Sequence, residues 1–132
     1  MKSSIPDDNR RAVLVVDDDD DFCASMSELL ANNGYSVRTC SNGREALEIL
    51  ADEAYQPLAI IVDLRMPEMD GFAFLAACEV EPRLRDSTVI VVSAYGDPTG
   101  IESDFMSKPV NVSRLLRSLG KIAGTNARVV AR

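Results

Sequence analysis

Two kinds of apolar pattern alternate along this chain. AVLVVD (12–17), LAIIVD (58–63) and TVIVVS (88–93) are continuous β-branched runs that each end in a polar residue. Runs of that kind are expected of strands buried on both faces. YSVRTC (35–40) reads as a further strand. Between the runs the period changes to that of a helix. Phe22, Met26, Leu29 and Leu30 share one helix face, and NNG (32–34) supplies a stop. Asn42 with Glu45 three residues later predicts an N-cap, and Ala46, Leu47, Leu50 and Ala54 follow on one side of a second helix. LRMPEMDG (64–71) is a loop punctuated by Pro67 and Gly71, and FAFLAACEV (72–80) is helical. Val112, Leu115, Leu116, Leu119 and Ile122 predict a last helix over 111–123. Residues 1–10 and 124–132 lack periodicity and read as tails, which leaves 11–123 as one domain.

Strand–helix alternation predicts an α/β fold, a parallel sheet covered on both faces and joined by right-handed crossovers. Ligands of such sheets bind beyond the carboxyl ends of the strands, where strand order switches. Asp17 and Asp18 end the first run, and Asp63, 45 positions after Asp18, ends the run at 58–63. If those two strands are neighbours, three carboxylates meet at one edge. Ser93 and Lys108 would end the next two strands on that same edge.

Composition narrows the chemistry. A length of 132 residues suits one domain, and 46% apolar residues are enough to build its core. The net charge of −7 argues against nucleic acid or anionic membrane as a direct partner. Histidine is absent, so the chain has no Ser-His or Cys-His nucleophile pair and no phosphohistidine of its own. Cys23, Cys40 and Cys78 form no CxxC and lie in apolar-periodic segments, which predicts buried, reduced thiols. With no signal peptide and no apolar run of about 20 residues, a soluble cytoplasmic protein is expected.

Three adjacent carboxylates repel one another, and a divalent cation removes the conflict. Mg²⁺, or alternatively Mn²⁺, suits hard oxygen ligands and is usually held by one or two carboxylates, waters and a phosphate. Lys108 is a point cation that can hold a phosphoryl oxygen, and Ser93 offers a hydroxyl. The set suits phosphoryl transfer to an aspartate, which works largely by positioning and charge neutralisation. Asp19, Asp20 and Asp21 are better read as acids at a helix N-terminus.

VLVVDDD, IIVDLRMPEMDG, VIVVSA and SKP, in that order, resemble the receiver domain of two-component response regulators. The resemblance covers roughly residues 11–123 and implies a flavodoxin-like, doubly wound sheet of five parallel strands in the order 2-1-3-4-5. It implies that Asp63 is the phosphoacceptor, and that Asp17, Asp18, Asp63 and the backbone carbonyl of Arg65 hold Mg²⁺, Asp17 acting largely through water. Ser93 matches the switch hydroxyl, Lys108 the phosphate-holding lysine in a cis bond to Pro109, and Phe105 the switch aromatic. Arg65 and Tyr95 match positions that tune phosphate lifetime. A partner histidine kinase or phosphotransfer protein would supply the phosphoryl group, and self-hydrolysis would reset the switch. The chain would therefore not be an enzyme beyond assisting its own phosphorylation and dephosphorylation.

One segment departs from the family. Only 15 positions separate Ser93 from Lys108, and Gly96, Pro98 and Gly100 interrupt the stretch. An extended stretch of ten residues still spans about 33 Å, so the connection closes with the fourth helix missing or reduced to about one turn. That would alter the 94–123 face and favour a different partner or a homodimer through it. No DNA-binding or enzymatic output domain is read after residue 123, and no effector is named by the sequence. Two rival readings fail on residues. A calcium loop on Asp17, Asp19, Asp21 and Glu28 needs glycine where Phe22 stands. A phosphatase using Asp17 and Asp19 leaves MPEMDG unexplained. The remaining alternative is a receiver-fold interaction module that needs no phosphate.

Overall fold

A computed structural model describes residues 10–64, 71–82, 84, 87–93 and 104–131. Five strands and four helices alternate: β1 (Ala12–Val16), α1 (Asp20–Asn32), β2 (Ser36–Cys40), α2 (Gly43–Leu50), β3 (Ala59–Asp63), α3 (Gly71–Glu79), β4 (Thr88–Ser93), β5 (Asp104–Ser107) and α4 (Val112–Ala131). All strand pairs are parallel and the sheet order is β2-β1-β3-β4-β5. This is the flavodoxin-like receiver topology, with its switch point between β1 and β3.

The apolar runs form the central strands because both of their faces are covered. Every residue of β1 and β3 is buried, whereas edge strand β2 buries only Cys40. Successive side chains point to opposite faces, and two separate cores result. Val13, Val15, Ile61, Ile90, Val92 and Met106 pack with Met26 and Leu30 of α1 and Leu115 and Leu119 of α4. Leu14, Val16, Ile60, Val62 and Val91 pack with Ala46 and Leu50 of α2 and Phe74 and Cys78 of α3. Each fully buried Leu, Ile or Phe contributes about 1.5–3 kcal/mol by burial.

The helix ends follow local chemistry. Asp19 is the N-cap of α1, accepting from Asp21 N and Phe22 N, with Asp20 and Asp21 in the first turn. At the other end Gly34 adopts φ 91°, and its carbonyl accepts from Arg11 Nε at 2.7 Å. Asn42 caps α2 by accepting from Glu45 N, and Glu45 accepts in turn from Ser41 N. Two boundaries differ from the sequence pattern. The apolar face drawn to Ala54 stops with the helix at Leu50, where 51–54 turn away and Ala54 is exposed. The apolar spacing predicts a last helix ending at 123 before a loose tail, but the helix backbone continues to Ala131. The last stretch, TNARVVA, contains no proline to stop it. Ten residues, 94–103, join β4 to β5, and the expected loss of the fourth helix falls on them, outside the described residues.

Candidate functional site

The strand alternation carries on past the strand ends and assembles the site. Asp17 stands two residues after Val15, Asp63 two after Ile61 and Lys108 two after Met106, and those three apolar residues share one core. The three polar side chains therefore continue one face of the sheet at its carboxyl edge. Two backbone bonds hold the edge in register: Asp17 N donates to Cys40 O at 3.0 Å, and Lys108 N donates to Ser93 O at 2.9 Å.

Oxygens of Asp17, Asp18 and Asp63 all lie within 4.8 Å of one another. Asp17 and Asp63 are buried and Asp18 is exposed. Lys108 Nζ donates to Asp17 Oδ2 at 2.8 Å and stands 3.8 Å from Asp63 Oδ2. The other oxygen of Asp17 accepts from Asp19 N at 2.9 Å. Both oxygens of Asp17 thus already hold protein hydrogen bonds, which fits a residue that reaches a cation through water better than one that ligates it directly. Burial alone would pull the Lys108 ammonium down. The hydrogen bond it donates to Asp17 and the charges of Asp17, Asp63 and Asp19 outweigh it, and the net shift is upward from 10.5.

Three carboxylates and one ammonium leave this edge two negative charges in excess. Oxygen-only donors, two of them buried, and an excess of two charges fit a hard divalent cation. Asp18 and Asp63 would hold it directly. Ser93 is 1% exposed at the end of β4, in register with Ser107, while its neighbour Val92 pairs with Asp63. The hydroxyl-bearing residue therefore lies at the same edge as Asp63. The Lys108–Pro109 bond is cis. Phe105 lies in β5, with only its backbone described. The Arg65 carbonyl and Tyr95 fall outside the described residues.

The response regulator receiver domain family matches residues 13–120. The chain belongs to this family. As a receiver domain it is 33% identical over 104 residues to the two-component response regulator ORR3 of Oryza sativa, a match covering 74% of this chain and 79% of that protein. Its fold is similar to the signal receiver domain of a signal transduction histidine kinase from Syntrophus aciditrophicus, at a TM-score of 0.77 and 30% identity, covering 86% of this chain and 90% of that one. The chemotaxis protein CheY4 of Vibrio cholerae superposes at a TM-score of 0.75 with 28% identity, over 84% of this chain and 97% of that one. Among the described residues of this receiver domain no helix is long and apolar enough to cross a membrane. All three cysteines are free and buried, as their place in apolar segments predicted.

Two residues beside the site carried no such signal in the sequence. Phe22 reads there only as part of a helix face, yet its ring lies 4.4 Å from Lys108 Nζ, centroid to nitrogen. Cys23 reads as a core thiol, and it also donates to Asp17 O at 3.3 Å. Burial and then the charges of Asp17, Asp20 and Asp19 push that thiol up to about 11.

Proposed function

We propose that this receiver domain is a phosphorylation-dependent signalling switch whose acceptor is Asp63. The observation that carries the reading is the approach of Asp17, Asp18 and Asp63 within 4.8 Å, with Lys108 beside them. An Asp63 carboxylate oxygen would attack the phosphorus of a phosphohistidine on a partner kinase or phosphotransfer protein. A P–O bond forms, the P–N bond breaks, and the imidazole leaves with a proton. These 132 residues hold no histidine, so the donor imidazole lies outside them. Bound Mg²⁺ would supply charge neutralisation for the phosphoryl oxygens.

Phosphorylation gives Lys108 an alternative partner. Its ammonium holds Asp17 at 2.8 Å and has Asp63 at 3.8 Å. A phosphoryl group on Asp63 would place new oxygens within its reach, and a charge-assisted bond to phosphate would compete with the one to Asp17. Ser93 would donate its hydroxyl to the same group. Water attack on the acyl phosphate would then return Asp63 to its free form, so the chain assists only its own phosphorylation and its reversal. The setting is cytoplasmic, where such donor proteins and reduced thiols are found.

The test is incubation with acetyl phosphate and Mg²⁺. One labile phosphoryl group per chain is expected, absent from Asp63→Asn and from samples held in EDTA. A chain that takes no phosphate from any donor would instead be an interaction module of this fold.

A further inference from the structure

The position of Lys108 is set by more than its two carboxylates. An ammonium has three donors. One meets Asp17 Oδ2 at 2.8 Å, and at 3.8 Å Asp63 Oδ2 is an ion-pair neighbour beyond ordinary hydrogen-bond length. The ring of Phe22 fills the next side, 4.4 Å from the nitrogen, and the lysine side chain is left 20% exposed. Phe22 is itself fixed. It sits in the first turn of α1, donates its backbone N–H to the Asp19 cap, and packs against the core between the sheet, α1 and α4.

We propose that Phe22 is a positioning residue for phosphoryl transfer, holding the Lys108 ammonium over its ring face so that the charge stays aimed at Asp63. The face of an aromatic ring attracts a cation without carrying a formal charge. It can therefore hold Lys108 in place without competing as an anion when the lysine exchanges Asp17 for a phosphoryl oxygen. Charge alone would pull the lysine elsewhere, because Asp19, Asp20 and Asp21 stand in the same turn. Leucine at position 22 would keep the apolar packing and lose the ring face. Tyrosine would keep both.

The inference rests on the reading of Asp63 as acceptor, and one set of variants separates the two. Wild type, Phe22→Leu and Phe22→Tyr are compared for phosphorylation rate with acetyl phosphate, for Mg²⁺ affinity and for the proton shifts of the Lys108 side chain by NMR. Phe22→Leu should phosphorylate about three- to tenfold more slowly, the range a partly desolvated cation–π contact implies. Its Mg²⁺ affinity should stay within about twofold, because no ligand is removed. Phe22→Tyr should recover the lost rate. The Lys108 ε-methylene protons should be shifted upfield by the ring in wild type and Phe22→Tyr, and not in Phe22→Leu. A wild-type rate in Phe22→Leu, or a Phe22→Tyr as slow as the leucine variant, overturns the proposal. So does a Lys108 resonance without a ring shift in wild type. A wild type that takes no phosphate overturns the acceptor reading instead, and the NMR shift still decides whether the ring holds the lysine.

Discussion

Lys108 donates to Asp17 Oδ2 at 2.8 Å across a sequence separation of 91 residues. Asp17 is 1% exposed, and this bond, with the one its other oxygen accepts from Asp19 N, offsets the burial of its charge. Removing the cation leaves a buried carboxylate beside two others. Breaking a fully buried pair costs about 3–5 kcal/mol, and the partial exposure of Lys108 reduces that to about 2 kcal/mol for Lys108→Met in EDTA. Saturating Mg²⁺ should recover part of the loss, because a second cation then serves the same carboxylates. Urea unfolding with and without Mg²⁺ measures both.

Asp18 tests the cation from the other side. It is exposed and shares the cluster with Asp17 and Asp63. Asp18→Asn removes one of the repelling charges and should leave the metal-free domain at least as stable as wild type. It should also abolish most of the stabilisation by Mg²⁺, which for wild type is about 1.4 kcal/mol at ten times the dissociation constant. Thermal melts across a Mg²⁺ titration show whether the variant's melting temperature still climbs.

How far the site was legible in the sequence follows from what strands and loops each demand. Asp17, Asp18, Asp63 and Ser93 were legible because each closes a run too apolar to be anything but a buried strand, and parallel strands bring their ends to one edge. Lys108 was legible through the same edge and the SKP motif. Phe22 was not, since its spacing with Met26 is satisfied equally by a core role, and only the tertiary approach of Lys108 from β5 reveals the second one. The continuation of α4 to Ala131 is not legible because 124–132 lacks an apolar period, the signal by which a helix shows in a sequence.

Alkaline pH should weaken the fold through its thiols. Burial pushes Cys23 up to about 11 and Cys40 and Cys78 up to about 12, from 9.0. In the unfolded chain these thiols ionise near 9.0, while in the fold they hold their protons. Their contribution is thus complete below pH 9 and is lost as pH rises from there through 11–12, at up to about 1.4 kcal/mol per pH unit for each thiol still protonated. The raised Lys108 acts in the same direction above 10.5. Urea midpoints measured from pH 8 to 11 should fall, and Cys→Ser variants should flatten the decline.

Gly34 lies between the end of α1 and β2, and its carbonyl accepts from Arg11, the residue before β1. A methyl group there would stand 3.1 Å from Arg11 Nη2, at a φ of 91° that other residues rarely adopt. Gly34→Ala should cost about 1–2 kcal/mol, chiefly from the backbone. Adding Arg11→Ala should not restore it, because the crowding guanidinium is flexible and the strain lies in φ. A double-mutant cycle by chemical denaturation distinguishes the two causes.

The site of phosphorylation, Asp63, can be read directly. Borohydride reduces an aspartyl phosphate to homoserine, so the domain is treated with acetyl phosphate and Mg²⁺, reduced, digested and mapped by mass spectrometry. Homoserine is expected at position 63 alone, dependent on Mg²⁺. Conversion at Asp17 or Asp18, or no conversion at position 63 under conditions that label the intact chain, would contradict it.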